Sequence, residues 1–475
     1  MNAGTPHAVV IGAGITGLAA AHSLVQLTGP GALTVTVLDA DDRLGGKIRT
    51  EAFAGRAVDA GPEMMLTRVA QAPALCRDLG LEHELVTPAS DHPYVRIGGR
   101  LHPLPPRLLA GVPGGARAVA STRVLSPAGL ARAGLDLVVP SRPSEHDVSI
   151  GELVRRRLGN EVLERLIDPL LGGIHAGSCD ELSVRATAPQ LESALESGRG
   201  LIRGLRAAAG RSPELASHPP FVGLSGGLAG LVRALQTRLR DVEIRTGAHV
   251  QELESLPTGQ IGLRLSGDTV LTADQVVLAV PAFAASSLLR EVCPVAAREL
   301  GAIDYASVAT VLLSYPDRAL SAPLHGSGFL VARGEGCATT ACTWSSVKWS
   351  HLSGETVVLK ASVGRAYDHR ALELDDERLV ARVHRELAEV MGLCAAPLEA
   401  RVVRFEQALP QYRVGHVDLV ARIDAALAGL PNVHLAGAAY RGVGVGACIR
   451  DGQRAAAAIA SELTITASPL TAGTT

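Results

Sequence analysis

Aromatic residues are scarce in this chain. They make up 3% of its 475 residues, although 47% of the residues are hydrophobic. Aliphatic side chains, chiefly Ala, Leu and Val, must therefore fill the interior, and a chain of this length can bury a large one. The length by itself predicts two or three domains.

The chain also lacks an excess of charge of either sign, closely paired cysteines and long apolar runs. The formal net charge is −2, which excludes the basic footprint of a nucleic-acid-binding protein. The seven cysteines are scattered and none forms a CxxC pair, so a disulfide framework is not expected and a reducing cytoplasm is predicted. There is no basic leader and no uninterrupted run of about 20 apolar residues, so neither a signal peptide nor a transmembrane helix is expected. Contact with a membrane surface stays open.

A strand, a turn and a helix are predicted at the start of the chain. The run at 8–11 indicates a strand, 16–27 a helix and 34–38 a second strand. Between the first strand and the helix lies the first glycine turn, residues 12–17, with the pattern G-x-G-x-x-G. This order is typical of a dinucleotide-binding domain.

Each glycine of the first glycine turn has a role in binding a pyrophosphate. Gly12 permits the tight turn, Gly14 lets the backbone approach the phosphates, and Gly17 allows the helix to pack closely on the strand. The helix N-terminus offers free N–H groups and the positive end of a dipole. Asp39, at the end of the second strand, is placed to accept hydrogen bonds from ribose hydroxyls. NAD and FAD share this fingerprint.

Three further segments favour FAD. The double-glycine segment, residues 42–50, follows the second strand, and the acidic turn, residues 59–64, comes next. The double-glycine segment resembles the Arg-x-Gly-Gly motif of the amine oxidase-like FAD superfamily, and residues 59–63 of the acidic turn resemble that superfamily's next flavin-contacting turn. The C-terminal glycine turn, residues 437–447, precedes a helix predicted at 447–463. In flavoproteins that this segment resembles, that helix points at the pyrimidine part of the flavin, where its dipole favours the reduced anion.

Residues of these four segments, the pair Asp39-Ala40 after the second strand, and Val250 are predicted to bind FAD. They are Gly12, Ala13, Gly14, Ile15, Thr16, Gly17, Asp39, Ala40, Arg43, Gly45, Gly46, Lys47, Gly61, Pro62, Glu63, Met64, Val250, Gly437, Val445, Gly446 and Ala447.

The predicted fold class is α/β, with a discontinuous Rossmann-type FAD-binding domain, a mixed α+β substrate domain and a helical insertion. The FAD-binding domain is predicted to comprise 7–98, 210–290 and 400–463. Prolines followed by amphipathic runs predict a helical domain at 99–209, facing substrate or membrane. Alternation at 302–363 and a helix at 375–391 place the substrate domain at 291–399. A disordered tail is predicted at 464–475.

Six segments between the flavin-binding ends carry a narrower resemblance. In chain order they are 168–177, 182–187, 224–228, 305–311, 346–349 and 409–416. Together they resemble the oxygen-dependent protoporphyrinogen/coproporphyrinogen oxidases of haem synthesis, in the soluble form of Gram-positive bacteria and actinobacteria. The chain departs from that family's pattern at Glu63-Met64, at His175 and at Gly446-Ala447.

The resemblance implies an FAD-dependent oxidase that converts coproporphyrinogen III to coproporphyrin III. The family reaction has three two-electron steps, in which hydride passes to flavin N5 and O2 is reduced to H2O2. A further contact with the next enzyme of the haem pathway stays open. The sequence shows no Ser/His/Asp triad pattern and no histidine cluster, so no catalytic side chain and no metal site is predicted. The expected task of the protein is to orient the substrate and tune the cofactor.

The substrate implied by the resemblance carries four propionates, so cationic side chains are expected around it. The candidates are Arg68, Arg96, Lys348 and Arg441, each of which could equally be a solvated surface cation. Lys348 lies beside Trp349 in one of the family-like segments. His175 is predicted to form part of the pocket wall.

Three alternatives remain at this point. The first is a protoporphyrinogen IX oxidase, whose substrate has two propionates instead of four. The second is an amine or amino-acid oxidase of the same superfamily, which the sequence 438–441 and the few aromatics argue against. The third is a flavin-binding partner or pathway-specific homologue without this activity.

Overall fold

The computed structural model describes residues 5–467, apart from 91, 106–107, 110, 114–123, 142–143, 197, 211–218 and 268. Over these ranges helices and several β-sheets alternate, and the predicted α/β fold class is confirmed. No helix in the described part of the chain is both long enough and apolar enough to cross a bilayer.

A five-stranded parallel sheet forms the first layer. Its strands, in spatial order, are Glu243–Arg245, Thr34–Leu38, His7–Ile11, Gln275–Leu278 and Val433–Leu435. Aliphatic residues point to both faces of these strands, as burial on both sides requires. The strands predicted at 8–11 and 34–38 are confirmed.

Helices cover one face of the parallel sheet, and a small sheet with further helices covers the other. The first face packs against Ile15–Thr28, Gln71–Asp78, Ala229–Arg238 and Val445–Ala467. The core on the second face includes the three-stranded sheet Val250–Ser255, Ile261–Leu265 and Val270–Ala273 and the helices Ala282–Leu288, Pro294–Gly301 and His416–Leu427. The helices predicted at 16–27 and 447–463 are therefore confirmed, each beginning one or two residues earlier.

A seven-stranded sheet forms the second large layer. In spatial order its strands are Glu399–Pro410, Tyr305–Pro316, Thr356–Val363, Thr339–Trp344, Gly328–Val331, Pro93–Ile97 and Arg100–Pro103. Neighbours are antiparallel, apart from the parallel pair of Gly328–Val331 and Pro93–Ile97. This confirms the sheet predicted from the alternation at 302–363.

Helix Asp376–Met391 covers one face of the seven-stranded sheet. It begins where the Asp375 carboxylate accepts a hydrogen bond from Arg378 N at 2.8 Å. It ends at Gly392, whose φ of 68° is the left-handed conformation that favours glycine. The opposite face packs against Phe53, Val58 and Ala60, next to the acidic turn.

Smaller elements complete the layers. The minor strand pairs and sheets comprise Thr50–Phe53 with Arg56–Asp59, Met65–Leu66 with Phe221–Leu224 and Leu85–Val86, Leu108–Leu109 with Val112–Pro113, and Val250–Ser255 with Ile261–Leu265 and Val270–Ala273. A short helix spans Ser345–Lys348, and 3₁₀ turns span Glu82–Glu84, Leu135–Leu137, Asp317–Ala319, Ser350–Leu352 and Arg370–Glu373.

The middle of the chain is mainly helical, as predicted. Its helices are Pro127–Gly134, Ile150–Arg157, Asn160–Val162, Gly173–His175, Val184–Thr187, Pro189–Leu195 and Leu201–Gly210. Between the third and fourth of these, Leu163–Gly172 is a π-helix with Pro169 inside it. Because proline has no N–H, it interrupts the regular α-helical hydrogen bonds there.

The predicted domain limits stay a prediction, although the seven-stranded sheet takes strands from both sides of the limits at 98/99 and 399/400. The predicted tail is wrong at its start. Helix Val445–Ala467 continues four residues into the segment 464–475 because its helical hydrogen bonding does not end at Leu463. The remainder, 468–475, lies outside the described residues.

Candidate active site

The first glycine turn joins strand His7–Ile11 to helix Ile15–Thr28. Gly12 has φ 104° and donates its N–H to Leu38 O at 2.7 Å, which ties the turn to the second strand. A Cβ on Gly17 would lie 1.8 Å from Gly12 O, so only glycine fits there. Gly14 caps the helix without a side-chain hydrogen bond, which leaves the N–H groups of the first turn, from Ile15 and Thr16 onward, for a ligand.

Asp39 lies beside this turn, as predicted. Its Oδ2 accepts a hydrogen bond from Ala13 N at 2.5 Å, and its Oδ1 accepts one from Asp41 N at 2.9 Å. Ala40 is next to it in the chain. Ala248 donates its N–H to Asp39 O at 2.8 Å, so the strand that begins at Val250 starts near the same place.

The double-glycine segment folds directly against the first glycine turn. Gly45 N donates to Ala13 O at 2.8 Å, and a Cβ on Gly46 would lie 3.3 Å from Gly14 Cα. Both Gly45 and Gly46 have positive φ, at 98° and 56°. The Arg43 guanidinium donates to backbone carbonyls of its own segment, including Ile48 O at 3.0 Å and Gly46 O. Arg43 therefore holds the segment in shape.

The acidic turn is the next layer. A Cβ on Gly61 would lie 2.2 Å from Lys47 O, so the backbone of the acidic turn rests on the double-glycine segment. Lys360 donates from Nζ to Gly61 O at 2.7 Å. Pro62 follows Gly61 and leads into Glu63.

Glu63 forms a buried ion cluster with two lysines. Its Oε1 lies 2.5 Å from Lys348 Nζ and its Oε2 lies 3.3 Å from Lys360 Nζ. Burial raises the pKa of Glu63, but the two ammonium groups outweigh burial and lower it to about 2. Lys348 also contacts Met64 Sδ at 3.5 Å. The carboxylate therefore stays ionised and holds the acidic turn on the seven-stranded sheet.

The C-terminal glycine turn closes the site from the other end of the chain. A Cβ on Gly452 would lie 2.3 Å from Thr16 O, so helix Val445–Ala467 packs directly on the first helix. Near its start, Gly446 packs against Val69. Burial raises the pKa of the Cys448 thiol to about 11, while Thr16 and Lys47 act in the opposite direction. The contact of Gly452 with Thr16 places the end of the first glycine turn beside this helix.

Tyr412 is a site residue that the sequence did not single out. Its hydroxyl donates to Ala438 O at 2.6 Å and accepts from Gly442 N at 2.8 Å, so it fixes the C-terminal glycine turn, in which Gly437 has φ 143°. His416 stacks on Tyr412 with 4.0 Å between ring centroids. The family-like segment 409–416 was the available signal.

His175 packs on the other side of Tyr412, with 5.5 Å between the ring centroids. The ring is buried, and its Nδ1 has no hydrogen-bond partner within the described ranges. Burial lowers the pKa of His175 to about 4, against an opposing hydrogen bond to Pro410. The imidazole is therefore uncharged near pH 7.

Three of the four predicted substrate-binding cations are engaged in ion pairs. Arg96 is buried and lies 3.7 Å from Glu335, and Arg441 lies 2.5 Å from Asp424. Lys348 is taken up by Glu63 as described. Arg68 is exposed and forms no ion pair with any residue that the structure describes.

Known proteins resemble this chain over nearly its whole length. Residues 15–460 match the family described as flavin containing amine oxidoreductase. A coproporphyrinogen III oxidase of Bacillus subtilis is 36% identical over 465 residues, which cover 96% of this chain and 98% of the relative. One of Mycobacterium leprae is 37% identical over 458 residues, with 96% and 98% covered. The crystal structure of a putative protoporphyrinogen oxidase from Exiguobacterium sp. 255-15 is similar at a TM-score of 0.86 and 31% identity, covering 96% of this chain and 99% of that one.

Proposed function

Because the chain belongs to the flavin-containing amine oxidoreductases and, among them, to the coproporphyrinogen III oxidase family, we propose that it oxidises coproporphyrinogen III to coproporphyrin III with FAD and O2. The observation that carries the proposal is the likeness to two coproporphyrinogen III oxidases over 96% of the chain. The match to the family of flavin containing amine oxidoreductases extends over residues 15–460, which include all six segments between the predicted flavin-binding ends.

FAD is the cofactor, and the junction of the four glycine-rich and acidic segments fits it. A Cβ at Gly14, Gly437 or Gly444 would meet no other protein atom within 4 Å, so there is space for a ligand next to the backbone at these positions. When bound, FAD supplies the two-electron acceptor for the substrate and passes the electrons to O2. No metal or acid–base triad is part of this proposal.

The residues of the chain would bind and orient this cofactor. The N-terminal ends of helices Ile15–Thr28 and Val445–Ala467 present N–H groups and positive dipole ends to its anionic parts. Asp39 would accept hydrogen bonds from the ribose, since its carboxylate lies at the edge of the first glycine turn. The acidic turn, including Pro62, Glu63 and Met64, would support the flavin edge.

Arg68 is the predicted cation that the structure best supports as a propionate ligand. A guanidinium without an ion-pair partner keeps its paired N–H donors for a carboxylate. It follows the acidic turn and precedes Val69, which contacts Gly446, so it lies close to both flavin-binding ends. The roles proposed for Arg96, Lys348 and Arg441 would require their present ion pairs to be shared with the substrate.

The test is an assay of the FAD-loaded protein in oxygenated buffer with coproporphyrinogen III, protoporphyrinogen IX and a panel of amines. Oxygen uptake is followed with an electrode, and porphyrin formation by fluorescence. We expect O2 consumption with coproporphyrinogen III and a product with coproporphyrin fluorescence. Turnover of amines alone, or absence of turnover with any porphyrinogen, would refute the proposal.

The second candidate is oxidation of protoporphyrinogen IX. It is favoured by the similarity, at 31% identity, to the putative protoporphyrinogen oxidase from Exiguobacterium sp. 255-15. A clear preference for protoporphyrinogen IX in the same assay would select it. Three of the four predicted cations already form ion pairs within the protein. This is compatible with a substrate that has two propionates instead of four.

We also propose a cytoplasmic location, supported by seven free cysteines. Contact with a membrane surface, or with an enzyme that takes up the porphyrin product, is a further proposal. Flotation with anionic vesicles and fractionation of cells test the two locations separately.

A further inference from the structure

Lysine is nearly absent from this chain. Of its 45 lysine and arginine residues, three are lysines, at positions 47, 348 and 360. The structure brings the ammonium groups of two of them, Lys348 and Lys360, to Glu63 of the acidic turn, and the backbone carbonyl of Lys47 lies against Gly61. A chain that uses arginine for nearly all of its cations thus has two of its three compact ammonium groups at this one place.

Within the ion cluster itself the charges do not cancel. Lys348, Glu63 and Lys360 form a triad whose side chains are 10%, 13% and 10% exposed. Two ammonium groups and one carboxylate leave the triad with a net charge of one positive unit. The Asp59 carboxylate of the same turn opposes this charge, since burial raises the pKa of Asp59 to about 6 and the group is largely ionised near pH 7. In a buried position each of these charges is poorly screened, so a change of one unit in the triad acts over several ångströms.

The positive charge is directed at backbone that lines the cofactor site. Lys360 Nζ donates to Gly61 O at 2.7 Å. Gly61 rests on Lys47 O, and the neighbouring Gly45 donates to Ala13 O in the first glycine turn. The triad is therefore separated from the first glycine turn by two layers of backbone.

We propose that Lys360, held on the Gly61 carbonyl by Glu63, is a positioning residue that raises the midpoint potential of bound FAD. Reduction of FAD to its anionic form takes up two electrons and one proton, the equivalent of a hydride, so the bound cofactor gains one negative charge. A nearby positive charge stabilises that state more than the neutral oxidised state. The inference rests on the proposed function for its purpose, since a higher potential favours each removal of hydride from the substrate.

The sign of the effect separates this proposal from a structural role. Lys360→Met and Glu63→Gln both break the same ion pair, so structural damage would move the potential in one direction. The charge of the triad, however, falls to zero in Lys360→Met and rises to two positive units in Glu63→Gln. We expect the potential to fall in the first variant and to rise in the second. The double variant restores one positive unit and should return near the wild type.

The potential is measured on the FAD-loaded protein by dye-coupled reductive titration without porphyrinogen. It is therefore independent of whether the proposed substrate is correct. We expect each single variant to change the ratio of the dissociation constants of oxidised and reduced FAD about tenfold, which is about 30 mV for a two-electron couple. Shifts of the same sign in both variants, or no shift in either, would overturn the proposal.

A further variant keeps the proposal testable if Lys360→Met does not retain FAD. Lys348→Met removes the same unit of charge but leaves the contact of Lys360 with Gly61 in place. We expect a fall in potential in the same direction and of smaller size. A rise in potential in Lys348→Met would contradict the proposal.

Discussion

Gly452 packs on Thr16 so closely that a Cβ on the glycine would lie 2.3 Å from the Thr16 carbonyl oxygen. The two residues belong to helices from opposite ends of the chain. This contact joins the helices that follow the first glycine turn and the C-terminal glycine turn, the two turns predicted to share FAD.

Gly452→Ala should destabilise the protein by about 1–3 kcal/mol, because the added methyl group meets backbone that cannot move away easily. In an exposed helix the same change is stabilising by up to about 1 kcal/mol. Gly134→Ala is the matched control, since it lies in helix Pro127–Gly134 with nothing within 4 Å of its Cβ position. Thermal unfolding of both variants checks this. Equal Tm values for the two variants would show that the helix contact is loose.

Gly14→Ala and Gly17→Ala should separate cofactor binding from folding. A Cβ on Gly14 meets nothing within 4 Å, so the apoprotein should keep its Tm while FAD affinity falls because the methyl group fills the phosphate cradle. A Cβ on Gly17 would lie 1.8 Å from Gly12 O, so both Tm and FAD affinity should fall. Unfolding of the apoproteins and fluorescence titration with FAD distinguish the two cases. Unchanged FAD affinity in Gly14→Ala would place the phosphates elsewhere.

Glu63→Gln should remove a pH dependence of stability. The pKa of Glu63 is depressed from 4.5 to about 2 because Lys348 and Lys360 outweigh the effect of burial. Its stabilising contribution is therefore complete above pH 4.5 and is lost as the pH falls through 2. The difference in unfolding free energy between wild type and variant should shrink over that window, by on the order of 3 kcal/mol. Urea unfolding at a series of pH values measures it.

The control for this measurement is Glu254→Gln, a change at an exposed glutamate of strand Val250–Ser255. Its stability curve should overlay that of the wild type. If Glu63→Gln also overlays the wild type, the ion cluster does not contribute to stability.

Arg68→Ala should raise KM for coproporphyrinogen III about tenfold without lowering Tm, because charge-assisted hydrogen bonds contribute about 1.5–3 kcal/mol and Arg68 is exposed. Arg240→Ala is the control, since Arg240 is 81% exposed and pairs only loosely with Asp241, at 3.6 Å. Steady-state kinetics of both variants provide the comparison. An unchanged KM in Arg68→Ala would remove this residue from the site.

His175→Phe should alter KM several-fold but leave the shape of the pH–rate profile unchanged between about pH 6 and 8. Burial lowers the pKa of His175 to about 4, so its imidazole does not titrate in this range. Rates measured across the range at saturating substrate test this. Loss of a limb of the profile in the variant would show that His175 exchanges a proton during turnover.

The strand, turn and helix at the start of the chain were predictable because their signals are local. Gly12, Gly17 and Asp39 each have a role that depends on a strand, a turn and a helix within one short stretch. The same is true of the alternation at 302–363, where the period of the side chains reports the sheet directly. The roles of single residues in FAD binding stay predictions, and the positions of these residues in the structure are consistent with those roles.

The ion cluster of Glu63 with Lys348 and Lys360 could not be predicted from local signals of this kind. Glu63 and Lys348 are separated by 285 positions in the chain, and Glu63 and Lys360 by 297. Lys348 was predicted as a substrate-binding cation because its segment resembles the family. Nothing in the sequence around it indicates that a carboxylate lies within hydrogen-bond distance. Tyr412 escaped notice for a similar reason, since its hydroxyl fixes a turn 26 positions away.

The sequence by itself therefore determined the nucleotide fold, the choice of FAD and the family, because these depend on turn geometry and motif order along the chain. Only the tertiary structure decided which charged side chains form ion pairs with one another. Strands distant in the chain must pair before Lys348 and Lys360 can meet Glu63, and before Gly452 can meet Thr16. The first glycine turn is the part of the chain that the sequence predicts most directly. In the folded protein it forms one wall of the candidate site, and the other walls come from distant parts of the chain.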